Sequence, residues 1–320
     1  MVVFDPAKDV PSLKGKTILV TGGTNGLGRE TLFLLGPHSP SNLIFTGRST
    51  AASDAILSTF RSRFPSVPIS FIQCDLASLS SVKSCAQSIL SSHRKLDILL
   101  AVAGIMGVPP SLTADGYEIH FGTNHLGHAL LIRLLLPLMT HSPDARIVLV
   151  SSDAARTTAP PDGIHYASLR TSQADEWWLL PGLRRYGQSK LANALYARAL
   201  SRHVDGNVCA VSLHPGVSHG TDMVKNLPFA ERWLTYLSTS HVQKSPEETA
   251  WHGLWAATAP RADGRGEARS DDEKARLGLV EAGVFYRPIG ESDTKIGLTQ
   301  DDDKADELWE WTERELKQWM

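Results

Sequence analysis

The run Lys16-Thr17-Ile18-Leu19-Val20-Thr21 leads straight into Gly22-Gly23-Thr24-Asn25-Gly26-Leu27-Gly28. The first part is short and apolar and reads as a buried strand. The second part is glycine-rich and sits where the helical spacing of Gly26–Leu35 begins. Glycine lets the backbone turn tightly and approach a pyrophosphate, and the N–H groups of the new helix then face the anion. A glycine-rich stretch alone is weak evidence, since many are ordinary turns. Here the strand before it and the helix after it supply the context that points to a nucleotide site.

Working outward, strand-type and helix-type runs alternate. Asn42–Thr46, Pro68–Cys74, Leu96–Val102, Arg146–Val150 and Asn207–Leu213 read as further strands. Ala51–Phe64, Ser78–Ser91, Asn124–Thr140 and Tyr186–His203 read as helices. Strands that are apolar throughout, separated by helices, predict an α/β fold: a doubly wound parallel sheet covered on both faces, in three layers. We expect a single domain over residues 1–320, with a nucleotide-binding half at about 14–145 and a catalytic and substrate half at about 146–300. Asp263–Lys274 reads as an exposed excursion, and Asp301–Asp303 as the acidic start of a final helix, Lys304–Gln318.

The chain has 320 residues, with 32 Lys plus Arg against 34 Asp plus Glu, a formal net charge of −2. That balance argues against a nucleic-acid partner engaged through bulk charge and against a polybasic membrane-surface protein. Cys74, Cys85 and Cys209 are too scattered for a disulfide scaffold and suggest a reducing compartment. The start, MVVFDPAKDV, does not read as a secretory signal. Ala129–Met139 is too short to span a bilayer, and LKQWM is no lipidation or peroxisomal address. A cytoplasmic protein with no membrane span is the expectation.

The glycine turn has the spacing TGxxxGxG, and from here the chain resembles the short-chain dehydrogenase/reductase family over most of residues 14–255. Asp75-Leu76 matches the family's adenine-contacting Asp. Ala103-Gly104 matches the end of its Asn-Asn-Ala-Gly motif, and Gly122–His128 (GTNHLGH) its active-site-helix motif. Ser151-Ser152, Tyr186-Gly187-Gln188-Ser189-Lys190 and His214-Pro215-Gly216 follow in order. YGQSKLAN and NHLGH look most like the branch containing retinol dehydrogenases and protochlorophyllide reductases. LWEWTEREL resembles fungal members associated with specialised metabolism. The resemblance implies a Rossmann-type sheet and a nicotinamide cofactor. It places that cofactor on Gly22, Thr24, Asn25, Gly26, Leu27, Gly28, Asp75, Leu76, Ala103, Gly104, Tyr186, Lys190, Pro215, Gly216, Val217 and Thr221.

Tyr186 and Lys190 are four apart on one helix and share a face. A tyrosine with its ordinary pKa of about 10 is a poor acid–base catalyst at neutral pH, and a nearby ammonium favours the phenolate. By resemblance, Ser152 holds the substrate oxygen, with Ser151 as the fallback at a strand end. Asn124 would complete a tetrad by holding a water in a relay through Lys190; its bland alternative is a helix N-cap. His125 and His128 have no third ligand at metal spacing and read as packing or solvated side chains, so no metal is expected.

Three features depart from the family pattern. Ala101 and Val102 replace the two asparagines before Ala-Gly, which removes amide bonds expected to brace the sheet. Val217, Ser218, His219 and Gly220 separate Pro215-Gly216 from Thr221, which re-routes the usual nicotinamide contact. The stretch between Ser152 and Tyr186 is long and holds Trp177-Trp178; either one packs while the other edges the substrate site, or both are core.

The ribose-reading position, about 20 residues beyond the glycine motif, is occupied by Thr46-Gly47-Arg48-Ser49 with no carboxylate before Asp54. Arg48 can pair with a 2′-phosphate, and Ser49 can add a donor, so NADP(H) is expected. Against it, Asn25 stands where many NADP-dependent relatives carry a basic residue, and Arg48 has a surface alternative. Met106, Trp177, Trp178, Met223, Phe229, Trp233 and Tyr236 lie on segments that should flank the substrate. They point to an apolar or aromatic carbonyl or alcohol. A homo-oligomer is compatible with this reading. A non-catalytic NADP-binding sensor or scaffold is the alternative, and the four residues Asn124, Ser152, Tyr186 and Lys190 argue against it.

Overall fold

The computed structural model describes residues 2–204, 206–218, 243–266, 268–293 and 297–320. A short helix α1 (Pro6–Asp9) precedes β1 (Thr17–Val20), α2 (Gly26–Leu35), β2 (Asn42–Gly47), α3 (Thr50–Arg63), β3 (Ile69–Gln73), α4 (Leu79–Ser92) and β4 (Ile98–Ala101). Helix α5 (Ile119–Phe121) runs through a π turn, Gly122–Leu126, into α6 (Gly127–Met139). Next come β5 (Ala145–Val150), α7 (Ala154–Thr157), α8 (Pro181–His203) and β6 (Val208–Leu213). The remaining elements are β7 (Val217–Ser218), β8 (Gln243–Lys244), α9 (Pro246–Thr258), α10 (Asp271–Leu277), β9 (Phe285–Arg287), β10 (Glu291–Ser292) and α11 (Asp302–Leu316).

Eight strands form one sheet in the order β10-β9-β6-β5-β4-β1-β2-β3, parallel except for β10. β1 lies between β2 and β4, so the strand order reverses at β1, where a doubly wound sheet opens a crevice. Successive residues of each inner strand feed opposite cores. Leu19, Leu99, Ile147 and Leu149 pack under α4, α6, α8 and α11. Ile18, Val20, Leu100, Val148 and Val150 pack under α2, α3 and α9. The result is the three-layer, single-domain Rossmann-type arrangement that the strand pattern implied.

Local chemistry sets the helix starts. Asn25, Ser49, Ser78 and Asp301 cap α2, α3, α4 and α11 through their side chains. Ser245–Glu248 and Ser270–Glu273 form reciprocal capping boxes for α9 and α10. Three boundaries differ from expectation. The helix expected from Asn124 begins upstream at Ile119, because Glu118 caps it through Phe121 N–H. The helix expected from Tyr186 begins at Pro181, a residue suited to a first helical turn, so Tyr186 lies inside the helix. The polar stretch Asp263–Lys274 is not all excursion, since its end is the capped start of α10. β9 and β10 were missed because three-residue and two-residue strands carry too little alternation to register.

Candidate active site

The glycine turn is built for close approach. Gly22 and Gly26 have φ of +71° and +50°. A Cβ on Gly28 would lie 2.3 Å from Gly22 O, and one on Gly23 would lie 2.7 Å from Phe45 Cβ. Only glycine allows α2 to start this near β1 and β2. A Cβ at Gly26 would meet nothing within 4 Å, so the turn is open on that side. Asn25 spends its side-chain oxygen on Gly26 N–H at 2.8 Å. Thr24 packs on the end of β2, where a Cβ on Gly47 would lie 2.8 Å from its methyl.

Arg48 is exposed just beyond Gly47 and pairs with no carboxylate among the described residues. Ser49 next to it accepts from Ala52 N–H as the cap of α3. Asp75 accepts from Ala77 N–H at 3.0 Å. The backbone of Leu76 packs so closely on Gly127 that a Cβ there would lie 2.4 Å from Leu76 O. Pro215, Gly216 and Val217 follow β6 at its carboxyl end, Gly216 with φ of +98°. Thr221, Met223, Phe229, Trp233 and Tyr236 lie outside the described residues.

The missing asparagines at Ala101 and Val102 are replaced by another brace. Thr21 Oγ1 accepts from Val102 N at 2.9 Å and Ala103 N at 3.0 Å. Its own proton is then free for His128 Nε2, 2.9 Å away. His128 Nδ1–H donates in turn to Asn124 O at 2.9 Å. Burial holds the His128 pKa down at about 4, so the ring stays neutral and can accept at Nε2. The expected loss of bracing is therefore corrected: a Thr–His pair does the work.

At the end of β5 the two serines separate. Ser151 Oγ turns to α8 and donates to Lys190 O at 2.6 Å. Ser152 Oγ accepts from Ala154 N–H at 3.2 Å and stands near enough to the Tyr186 phenol to favour its phenolate. The fallback to Ser151 thus fails, because its side chain is spent on the helix backbone. Lys190 Nζ donates to Val150 O at 2.8 Å and lies 5.7 Å over the Tyr186 ring.

Asn124 does not cap a helix. Its Oδ1 accepts from Ile105 N at 2.8 Å, while Nδ2 donates to Ile105 O at 3.0 Å and to Ser189 Oγ at 2.9 Å. These bonds lock the loop after β4 onto α8. A Cβ on Gly104 would lie 3.2 Å from Asn124 Oδ1 and 3.3 Å from Lys190 Nζ. Ser152, Tyr186, Lys190, Asn124 and Gly104 are thereby brought together.

Electrostatics run against the simple expectation for the tyrosine. Burial pushes the Tyr186 phenol up to about 12, against a lowering by Ser152. Burial pulls the Lys190 ammonium down to about 8. Both shifts disfavour charge in an apolar surrounding, so the pair is poised as neutral acid and weak cation.

His125 is a packing residue, its Nε2 3.0 Å from Thr312 Oγ1 of α11. Neither tryptophan is core. Trp177 is half-buried with its ring 5.3 Å from His165, and Trp178 is 92% exposed. A cavity of about 460 Å³ opens beside α7, lined by Arg156, Thr158, Leu180, Arg184 and Leu298, and none of the four tetrad residues lines it. Among the described residues no helix is long and apolar enough to cross a membrane, and no group of three or more His, Cys, Asp or Glu could hold a metal.

The chain is similar to known proteins over much of its length. The short chain dehydrogenase family profile matches residues 16–169. Human retinol dehydrogenase 14 is 34% identical over 267 residues, covering 79% of this chain and 76% of its own. The short-chain dehydrogenase/reductase drtF of Aspergillus calidoustus is 29% identical over 324 residues, covering 96% of each chain. A crystal structure of a protein from Mycobacterium paratuberculosis superposes with a TM-score of 0.70 at 27% identity, covering 98% of this chain and 97% of that one. The chain belongs to the short-chain dehydrogenase/reductase family and is an oxidoreductase of that type. Within the family it fits the retinol dehydrogenase-like branch.

Proposed function

We propose that the protein interconverts a carbonyl and an alcohol on an apolar or aromatic small molecule, with NADP(H) as cofactor and Tyr186 as acid/base. The observation that carries this reading is the meeting of Ser152, Tyr186 and Lys190 at the carboxyl end of β5. The glycine turn fits a dinucleotide: its backbone leaves no room for side chains toward β1 and is open at Gly26. Arg48, exposed at the end of β2, would take the 2′-phosphate through its planar fork. Asp75 and Leu76 would flank the adenine, and Ala103, Gly104, Pro215, Gly216 and Val217 the nicotinamide end.

When bound, NADPH supplies a hydride. Ser152 and Tyr186 hold the substrate oxygen and stabilise its developing charge. Tyr186, neutral at physiological pH, gives that oxygen its proton. Lys190 keeps a positive charge close to the ring and favours the phenolate left behind. Oxidation reverses these roles. The reading extends to an enzyme of specialised metabolism, which rests on the resemblance of the ending LWEWTEREL.

The test is NADPH consumption against a panel of aromatic and aliphatic ketones and aldehydes, with mass analysis of products. Stoichiometric conversion of a carbonyl to its alcohol is expected. NADPH binding without turnover across the panel would instead favour a sensor or scaffold.

A further inference from the structure

A buried polar network lies against Tyr186, and the tetrad does not use it. Glu118, the cap of α5, is fully buried. One of its oxygens accepts from Phe121 N at 2.7 Å and the other meets His120 Nδ1 at 2.9 Å. Arg185 Nε of α8 lies 3.4 Å from that second oxygen. His120 is itself fully buried, and its ring stands edge-on to Tyr186 at 6.4 Å between centroids and 73° between planes. The network closes on itself, since it leaves α8 at Arg185 and returns at the next residue, Tyr186.

Two features exceed what packing needs. The Glu118 carboxylate fixes the rotation of the imidazole through Nδ1, which a purely apolar contact would not do. His120 Nε2 is buried with no hydrogen-bond partner, a state that an apolar ring of the same size would avoid. Arg185 also reaches Gln173 O at 3.5 Å, and Gln188 Nε2 bonds Gln173 Oε1 at 3.0 Å. The residues on either side of Tyr186 thus pin the loop that follows Ser152.

We propose that His120 is a positioning residue for Tyr186. Held by Glu118, which Arg185 approaches in turn, its ring fixes the phenol plane so that the hydroxyl stays beside Ser152. The proposal deepens the function proposed above and rests on it.

The experiment uses the full-length protein with His120→Leu and His120→Phe, beside Tyr186→Phe. His120→Leu should lower kcat about 10-fold or more while KM for NADPH stays within about twofold. His120→Phe, which keeps a ring, should recover most of kcat. A crystal structure of His120→Leu should show the Tyr186 hydroxyl off Ser152. Equal kcat in His120→Leu and the parent, equal losses in both His120 variants, or an undisturbed Tyr186–Ser152 contact would each overturn the proposal. If His120→Leu does not fold, His120→Gln takes its place with the same expectations. Retained turnover in Tyr186→Phe would sink the underlying reading of the reaction, while the structural comparison would still decide whether His120 places the ring.

Discussion

Lys190 carries its charge where water does not reach, and this has a consequence for stability. Its folded pKa of about 8 lies below its ordinary 10.5. Between these values the unfolded chain holds a proton that the folded protein has released, so stability rises with pH across that window. Below pH 8 the full penalty applies, about 3 kcal/mol at 1.4 kcal/mol per unit. Val150 O keeps a second donor, Asn193 Nδ2 at 3.2 Å, when the lysine is removed. Lys190→Met should therefore stabilise the protein at pH 7 by up to ~3 kcal/mol in urea unfolding, with the gain gone above pH 10.5. It should also weaken NADPH binding if Lys190 reaches the ribose. Tyr186→Phe keeps the ring and loses only the hydroxyl, so turnover should drop ~10²–10⁴-fold with NADPH affinity nearly intact. Arg48→Asp should reverse the cofactor preference, because it removes the phosphate partner and adds a repelling charge. A parent enzyme with higher kcat/KM for NADH than for NADPH would contradict the assignment of Arg48.

At the scale of elements, the stretch between Ser152 and α8 is fastened by polar clips as well as by core contacts such as Leu169. His165 meets Glu176 at 2.7 Å and Asp162 at 3.0 Å. Its backbone N–H donates to the buried Gln188 of α8 at 2.8 Å. Burial alone would lower the His165 pKa, but the bonds to Glu176 and Asp162 outweigh it and raise the value above 6.5. The clip is at full strength below pH 6.5 and loosens as pH rises through the raised value. Hydrogen exchange over residues 162–178 should accelerate from pH 6 to pH 9, after correction for the intrinsic rate, and His165→Ala should abolish that extra acceleration. Trp178 projects into solvent from the same stretch. Trp178→Ala should leave unfolding stability within about 0.5 kcal/mol. A change in the substrate KM without one in the NADPH KM would assign it to substrate; loss of stability would show that it packs.

Across the whole molecule, α11 ties the last residues to the helices that carry the site. Leu308 and Leu316 are fully buried under it. Tyr117 donates to Glu315 at 2.9 Å, Arg133 pairs with Glu313 at 2.7 Å, and Arg198 pairs with Asp302 at 2.6 Å. Because α6 and α8 meet both the sheet and α11, loosening α11 should reach Asn124 and Tyr186. Leu308→Ala should cost ~2–5 kcal/mol by the cavity it leaves. Chemical denaturation measures that loss, and a cost under about 1 kcal/mol would mean that α11 is a loosely held appendage.

The sheet, its covering helices and the glycine turn were legible in the chain because each is a local pattern: apolar runs for β1 to β6, caps such as Ser78, and glycines where α2 begins. The four residues proposed as the tetrad were singled out by resemblance to the family's motifs. What only the tertiary structure decided are contacts between segments far apart in the chain. Ser151 and Ser152 are indistinguishable by type, and their roles separate only when α8 lies against the end of β5. Asn124 has a helix N-cap as its bland alternative in one dimension, yet folding brings Ile105 and Ser189 to its amide. Thr21 and His128 supply a brace that no local spacing reveals, because they are 107 positions apart. The direction of the Tyr186 shift was also hidden, since desolvation depends on everything packed around the phenol, while sequence spacing shows only its lysine. Period and propensity act over a few residues; burial and hydrogen-bond partners are properties of the closed fold.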